Sequence, residues 1–119
     1  MLFINGEALK YSKTDIDYAE QLQAELRKIS VFETEDLEGY KHTVMNVPAV
    51  KARRSFRPVT VPQNSFFVMG DNRDLSRDSR FFGFVKSNAI IGRATRVIVS
   101  FDKTEWYQPR LKRTFAPLK

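Results

Sequence analysis

Cysteine is absent from this chain of 119 residues, and histidine occurs only once, at His42. The lack of cysteine excludes disulfides, thiolate zinc sites and cysteine nucleophiles. A single histidine excludes metal sites built from several histidines and leaves one candidate for a Ser-His-Asp triad. No apolar run approaches the ~20 residues of a membrane-spanning helix, and the N-terminus lacks the basic and apolar segments of a signal peptide. With 42% hydrophobic residues, the sequence is that of a globular chain.

Acidic residues become scarce in the second half of the chain. Residues 1–50 carry five basic and nine acidic side chains, a net charge of −4, whereas residues 51–119 carry fifteen and five, a net charge of +10. A basic half suits nucleic acid, an anionic lipid surface or an acidic part of the same protein. Composition alone does not distinguish these partners.

Short apolar segments between turn residues predict a mainly β chain. Asn5-Gly6, the strongest two-residue hairpin signal, follows only three apolar residues and precedes a return strand over residues 7–11. Because strands usually have about 5 or 6 residues, we expect the chain to begin within a strand and to be a fragment of a longer protein. Further strands are predicted over residues 30–35, 40–47, 58–62, 66–69 and 89–101. The apolar run at 66–69 is expected to be buried on both faces.

One helix is predicted near the N-terminus, over residues 14–29, where apolar residues recur at helical spacing and Arg27 and Lys28 occupy the last turn. We expect it to contribute packing rather than chemistry. Residues 51–57 are basic without a clear period, which predicts a loop with a solvated face. The sequence contains no internal repeat.

Residues 69–80 form the densest polar stretch of the chain and directly follow the apolar run. Their sequence is Met-Gly-Asp-Asn-Arg-Asp-Leu-Ser-Arg-Asp-Ser-Arg. Three aspartates alternate with three arginines, which predicts a compact loop whose charges pair with one another. A calcium-binding EF-hand loop is excluded, because its sixth position is Ser79 instead of glycine and its twelfth is Val85 instead of glutamate.

Two other functional patterns overlap this region incompletely. Residues 80–87 match five of the seven specified positions of an RNA-recognition octapeptide, so a basic RNA- or DNA-binding module is an alternative. Phe81 and Ser87 depart from that octapeptide, and the residues that follow predict a strand where the RNA-recognition fold has a helix. A serine hydrolase would need a base beside Ser76 or Ser79, and neither serine lies in a G-x-S-x-G elbow. We therefore expect these serines to be supporting groups.

Residues 66–85 read Phe-Phe-Val-Met-Gly-Asp-Asn-Arg-Asp-Leu-Ser-Arg-Asp-Ser-Arg-Phe-Phe-Gly-Phe-Val. This stretch closely resembles, without a gap, the last signature box of bacterial type I signal peptidases. The resemblance covers residues 58–102 in detail, including Ile-Ile-Gly-Arg-Ala at 90–94 and Ser-Phe-Asp at 100–102. Over residues 1–57 it extends only to the order of elements.

The resemblance implies a fold as well. It is a mainly β, antiparallel sheet or barrel fragment with one short helix near the N-terminus. The chain would be the C-terminal periplasmic portion of a signal peptidase I-like catalytic domain. Within it, residues 1–57 would form a hairpin and helix insertion region, and residues 58–119 would supply core strands and the signature box.

Members of this family are membrane-anchored serine endopeptidases of the bacterial inner membrane, with the catalytic domain on the periplasmic side. They remove signal peptides from exported preproteins with a Ser-Lys dyad and no cofactor. The nucleophile and the base lie upstream of the signature box, and neither S-M-x-P nor K-R-x-x-x-x-P-G-D occurs in these 119 residues. The resemblance therefore implies a fragment with no peptidase activity of its own. A catalytically dead paralogue that serves interaction is a further alternative.

The resemblance also assigns roles within the box. The Ser76 hydroxyl would bond to the general-base lysine and orient it, and Asp78 with Arg80 would form a charge pair that braces the site. The positions packed against the dyad are Gly70 and Asp71, and Met69 is assigned to binding. The neighbouring residues expected to hold this arrangement in place are Asn72, Arg73 and Asp74. No metal site is expected.

The expected partners follow from the same resemblance and from the charge. They are the signal peptides of preproteins and an anionic membrane surface, with no nucleic acid. Strand edges left open in a fragment could also pair with a second copy of the chain.

Overall fold

The computed structural model of the chain describes residues 1–14, 24–99, 101–102, 108–109 and 117. All the sheets in this part are antiparallel and the helices are short, so the predicted mainly β fold is confirmed. The elements in chain order are β1 (Phe3–Ile4), β2 (Glu7–Ala8), β3 (Lys10–Lys13), α1 (Ala24–Ile29), β4 (Val31–Leu37), β5 (Tyr40–Asn46), β6 (Ser65–Phe66), α2 (Ser79–Phe82), β7 (Val85–Lys86), β8 (Phe101–Asp102) and β9 (Gln108–Pro109).

The first hairpin forms where Asn5-Gly6 predicts it. β1 and β2 pair in antiparallel register, and both turn residues have positive φ, 51° at Asn5 and 85° at Gly6. A type I′ turn requires this pair of angles, and Asn-Gly adopts them with little strain. The return strand predicted over 7–11 is divided at Leu9, because β3 leaves the hairpin to pair with β4.

The largest sheet has three strands in the order β3-β4-β5. Glu38 and Gly39 form the turn between β4 and β5 with φ of 52° and 95°, and the Gly39 N–H donates to Asp36 Oδ1 at 2.7 Å. The hairpin predicted from residues 30–35 and 40–47 is thus confirmed. Val44 and Val47 are almost completely buried, and they mark the end of β5 against which residues 69–80 pack.

Two strand predictions between residues 58 and 69 are wrong. Residues 58–62 have no regular secondary structure, and the side chain of Val59 is half exposed. Of the apolar run that was expected to be buried on both faces, only Phe66 lies in a strand, and it is 47% exposed. β6 pairs with β7 on one side only within the described residues. An apolar run in the sequence does not by itself show whether other elements of the fold cover both faces of that segment.

Residues 1–89 and residues 90–119 form two compact units. In the second unit, the strand predicted over 89–101 is wrong for residues 90–99, which contain no regular strand and expose Ile91 and Ile98. β-branched residues favour an extended backbone, but a strand also needs a paired neighbour. Among the described residues, Arg96 forms only an isolated bridge with Pro117, and β8, at the end of the predicted strand, pairs with β9.

The helices differ in part from the prediction. α1 forms the last turns of the helix predicted over residues 14–29, and the stretch from 15 to 23 lies outside the described residues. α2 was not predicted, because four residues are too few for a helical period to show in sequence. No helix in the described ranges is long and apolar enough to span a bilayer.

Candidate functional site

The polar stretch of residues 69–80 begins by docking on β5 through its backbone. The Met45 N–H donates to the Asp71 carbonyl at 2.9 Å, and the Arg73 N–H donates to the Met45 carbonyl at 2.8 Å. Asn72 therefore lies beside Met45 in a short parallel bridge. The Asp71 side chain is exposed, so in this part of the chain the contribution of Asp71 is its carbonyl oxygen.

A tight turn then brings Ser76 back against Gly70. The Asn72 side chain accepts from the Leu75 N–H at 3.1 Å, and the Asn72 carbonyl accepts from the Ser76 N–H at 3.1 Å. A Cβ atom built on Gly70 would lie 1.9 Å from Ser76 Oγ and 2.5 Å from Ser76 Cβ. Gly70 is required here for close approach and not for a left-handed backbone, because its φ is not positive.

The Asp78–Arg80 pair closes the other side of this contact. Arg80 donates to the Asp78 carboxylate from Nε at 2.8 Å and from Nη2 at 2.7 Å, and both side chains are at least 94% buried. Asp78 is also the N-cap of α2, where it accepts from the Arg80 N–H, and it accepts from the Gly70 N–H at 3.0 Å. One carboxylate thereby ties the strand exit at Gly70 to the start of the helix.

Ser79 completes the loop by pairing with Val68. The Ser79 N–H donates to the Val68 carbonyl at 3.0 Å, and the Val68 N–H donates to Ser79 Oγ at 2.9 Å. The two ends of the loop, residues 68 and 79, are therefore fastened together. In contrast, the Ser76 hydroxyl has no hydrogen-bond partner within the described part of the chain.

Asp74 is held from outside the polar stretch. Its side chain is fully buried, and it accepts from the Val47 N–H at 2.8 Å and from Arg54 Nε and Nη2 at 3.0 and 2.9 Å. Burial alone would raise the pKa of Asp74, but the bonds from Arg54 and Val47 outweigh it and the pKa is lowered. Sequence reasoning missed Arg54, which lies in the stretch 51–57 that was predicted to be solvated.

Arg73 also finds its partner elsewhere, in the buried carboxylate of Glu35 on β4. Both oxygens of Glu35 accept from the Arg73 guanidinium, at 2.8 and 2.5 Å. The expectation of a self-paired loop is therefore wrong in most of its detail: of the three aspartates, only Asp78 pairs with an arginine of the same stretch. Arg73 and Asp74 are adjacent, but Arg73 binds Glu35 on β4 and Asp74 binds Arg54 in the stretch 51–57.

A cleft of about 320 Å³ opens beside this network in the first unit. Met69 contributes an apolar side to it, together with Phe56 and Val44, while Arg73 and Arg80 lie at its polar side. A second, wider cleft of about 500 Å³ is bordered by Phe56, Phe67, Arg53 and Arg57. Among the described residues, no group of three or more histidine, aspartate or glutamate side chains is placed to hold a metal ion.

The buried Asp78 should make stability depend on acid pH. Burial raises its pKa, but the bonds from Arg80 and Gly70 outweigh burial and lower the pKa from 3.8 to about 2. Because the pKa of Asp78 is lower in the folded than in the unfolded state, its ionised form stabilises the fold fully at pH values above the unfolded pKa. This contribution to stability is lost as the pH falls from about 4 to about 2. The loss expected is about 2 kcal/mol in the free energy of unfolding.

Urea denaturation of the natural sequence and of Asp78→Asn, at pH values from 7 to 2, would measure the contribution of Asp78 to stability. Other carboxylates titrate in both proteins, so the informative quantity is the stability difference between them. That difference should shrink as the pH falls through the window. A difference that stays constant from pH 4 to pH 2 would contradict the prediction.

Comparison with known proteins adds an independent line of evidence. The sequence profile of the family described as "Signal peptidase, peptidase S26" matches residues 1–99. Signal peptidase I of Buchnera aphidicola subsp. Schizaphis graminum is 50% identical over 56 residues, 44% of this chain and 18% of the relative. Signal peptidase I of Buchnera aphidicola subsp. Acyrthosiphon pisum is 36% identical over 80 residues, 60% of this chain and 26% of the relative.

A third relative, signal peptidase I of Haemophilus influenzae, is 47% identical over 62 residues, which are 50% of this chain and 18% of the relative. The aligned part thus spans only 18% to 26% of the length of these three proteins.

Proposed function

This chain belongs to the peptidase S26 family of signal peptidases, and we propose that it is part of a membrane-anchored serine endopeptidase of the bacterial inner membrane. The full-length enzyme that contains it would remove N-terminal signal peptides from exported preproteins on the periplasmic side. The portion described here would supply the box that orients and braces a Ser-Lys dyad. The observation that carries this proposal is the Ser76 hydroxyl, held against Gly70 without a hydrogen-bond partner in the described residues.

Residues 1–57 would be the insertion region of the catalytic domain, and residues 58–119 would contribute core strands and the box. The Ser and Lys motifs of the dyad do not occur in the 119 residues. We therefore propose that this chain by itself cleaves no preprotein. Its part in catalysis is to shape the surroundings of groups supplied by the rest of the enzyme.

The geometry suits a supporting role for Ser76. A lysine that acts as a general base must be desolvated to lower its pKa, and its amine then needs a fixed direction. A serine hydroxyl donates and accepts hydrogen bonds, so Ser76 can bond to a neutral amine without adding charge. Asp78 and Arg80 neutralise each other beside it, which keeps the local field from returning that lysine to its protonated state.

Met69 is proposed to contact substrate, because its side chain borders the cleft next to Gly70. An anionic membrane surface is proposed as a second partner. Arg53 and Arg57 are exposed near the half-exposed side chains of Val59 and Phe81, and this mixture of basic and apolar groups suits a lipid interface. Stacked Phe56 and Phe67 border the same basic cleft, so the nucleic-acid alternative is set aside on the family match alone.

Ser76→Ala in the full-length enzyme tests the proposed function. We expect kcat to fall by about 10²-fold or more, because the base loses its fixed direction, while KM changes by less than about twofold. The matched control is Ser87→Ala, since Ser87 is exposed and its hydroxyl makes no hydrogen bond in the described chain. Preprotein cleavage with purified, folded proteins is the measurement. Full turnover by Ser76→Ala would overturn the role assigned to this residue.

A further inference from the structure

A row of three side chains crosses the β3-β4-β5 sheet on one face. Glu35 on β4 lies directly opposite Tyr11 on β3 and directly opposite His42 on β5. The Tyr11 hydroxyl donates to Glu35 Oε2 at 2.5 Å, and His42 Nε2 lies 3.2 Å from Glu35 Oε1. Glu35 is 1% exposed, so a carboxylate occupies a position where an apolar side chain would be usual.

Arg73 reaches this row from the polar stretch of residues 69–80. Its Nη1 donates to Glu35 Oε2 at 2.8 Å and its Nη2 donates to Glu35 Oε1 at 2.5 Å. Two parallel bonds between a guanidinium and a carboxylate fix both distance and orientation. The Arg73 side chain is only 12% exposed, so solvent competes little for it.

The backbone of Arg73 stands at the start of the turn that carries Ser76. The Arg73 N–H bonds to the Met45 carbonyl, and Asn72, the preceding residue, accepts from the Ser76 N–H. A shift of the Arg73 side chain is therefore transmitted to Asn72 and to Ser76 over a few covalent bonds. Ser76 lies so close to Gly70 that a Cβ there would be 1.9 Å from its Oγ, so a displaced turn would change this contact.

We infer that Glu35 is a positioning residue for the enzyme's active site: through Arg73 it fixes the turn that holds the Ser76 hydroxyl. This inference rests on the proposed function. Buried ion pairs contribute little net stability, because desolvation offsets their attraction, and they are better suited to fixing one geometry. The three-stranded sheet thereby has a role at the active site although it contributes no group to the chemistry.

The decisive comparison separates the bond to Arg73 from the other bonds of Glu35. Glu35→Gln and Arg73→Lys each remove the two-pronged pair and should lower kcat about tenfold or more, with KM within about twofold. His42→Gln removes another partner of Glu35 and leaves the bonds between Glu35 and Arg73 in place, so kcat should change by less than about twofold. If Glu35 only stabilised the sheet, His42→Gln would lower kcat as much as Glu35→Gln does.

The double variant Glu35→Gln/Arg73→Lys provides a second criterion. Both single changes break the same pair, so we expect the double variant to be about as slow as either single one. Glu7→Gln, an exposed glutamate on β2, is the matched control and should retain full turnover. Multiplied losses in the double variant would contradict coupling through one pair.

Amide hydrogen exchange tests the geometry without relying on activity. In Glu35→Gln and in Arg73→Lys, the amides of Arg73 and Ser76 should exchange about tenfold faster or more, because their bonds depend on the fixed turn. The Val47 amide, bound to Asp74, should keep its rate. Unchanged exchange at Arg73 and Ser76 in both variants would overturn the inference, and Arg73→Lys decides the matter if Glu35→Gln does not fold.

The outcomes distinguish this inference from the proposed function. A loss of turnover in Ser76→Ala with none in Glu35→Gln and Arg73→Lys would overturn only the role of Glu35. Full turnover in Ser76→Ala would overturn the role proposed for Ser76, and the inference with it, whatever the exchange rates are.

Discussion

Gly70→Ala is expected to lower the free energy of unfolding of the full-length enzyme by about 3 kcal/mol and to abolish preprotein cleavage. The added methyl group would lie 1.9 Å from Ser76 Oγ and 2.5 Å from Ser76 Cβ, far inside van der Waals contact. Neither the backbone at Gly70 nor the backbone at Ser76 can move away easily. The Gly70 N–H is bonded to Asp78, and the Ser76 N–H is bonded to Asn72.

Two double variants would show that the clash with Ser76 is the cause. Gly70→Ala/Ser76→Gly removes the opposing side chain and should recover most of the stability, while activity stays lost because the hydroxyl is gone. Gly70→Ala/Ser76→Ala should recover little, because the Cβ of residue 76 alone lies at 2.5 Å. With the single variants Ser76→Gly and Ser76→Ala included, two double-mutant cycles give the coupling between positions 70 and 76 in each case.

Gly92→Ala is the matched control, since a Cβ on Gly92 would have no neighbour within 4 Å and its φ is not positive. It should change the free energy of unfolding by less than about 0.5 kcal/mol. Thermal or urea unfolding of these variants and of the natural sequence is the measurement. Gly70→Ala protein with the stability and turnover of the natural sequence would contradict the prediction.

Turn residues in the sequence correctly predicted the hairpins, whose two strands are neighbours along the chain. Asn5-Gly6 specifies its own hairpin, because the turn angles that it favours bring β1 and β2 together. The hairpin of β4 and β5 follows equally from alternating residues around Gly39. The apolar segments at 66–69 and 89–101 contain no such register information, and their predicted strands were mostly wrong. An apolar segment is expected to be buried, but its composition does not indicate which other segment it pairs with.

In the site, too, contacts between residues close in sequence could be predicted, and contacts between distant residues could not. The pairing of Asp78 with Arg80 is local, since an N-cap carboxylate meets a side chain two residues on. Arg54, which binds Asp74 from 20 residues away, and Glu35, which binds Arg73 from 38 residues away, lay outside the residues singled out from sequence. Nothing in the composition around either residue sets it apart from a solvated charge. The register of the folded sheet sets Glu35 opposite His42, but the pairing of Glu35 with Arg73 depends on how residues 69–80 dock on β5.

Arg54→Ala is expected to be more destabilising than Asp74→Asn, although both break the same ion pair. The Arg54 side chain is 47% exposed and can regain water when its partner is lost, whereas the Asp74 carboxylate is fully buried. Removing Arg54 leaves a buried charge supported only by the Val47 N–H, and it also frees the carbonyls of Val47, Pro48 and Val50. Breaking a buried pair in this way costs about 3–5 kcal/mol, against about 1–3 kcal/mol for Asp74→Asn.

The difference in stability between Arg54→Ala and the natural sequence should become smaller as the pH falls. With Arg54 present, the pKa of Asp74 is lowered by the bonds that outweigh burial, so its contribution is lost as the pH falls. Without Arg54, burial is opposed only by the Val47 bond and the charge of Arg80, so we expect the pKa of Asp74 to be higher than in the natural sequence and less stability to be lost when Asp74 is protonated. The variant should therefore recover stability, relative to the natural sequence, as the pH is lowered.

Urea unfolding of both variants at pH 7 and at several acid pH values would measure both effects. Arg57→Ala, an exposed arginine of the same basic stretch, is the matched control and should stay within about 0.5 kcal/mol of the natural sequence. Equal losses in Arg54→Ala and Asp74→Asn, with no relative recovery in acid, would mean that Asp74 is solvated in solution. Arg54 would then be a surface charge that does not fix the position of Asp74. If the prediction holds, a basic stretch that looks solvated in sequence fixes the position of Asp74, two residues before Ser76.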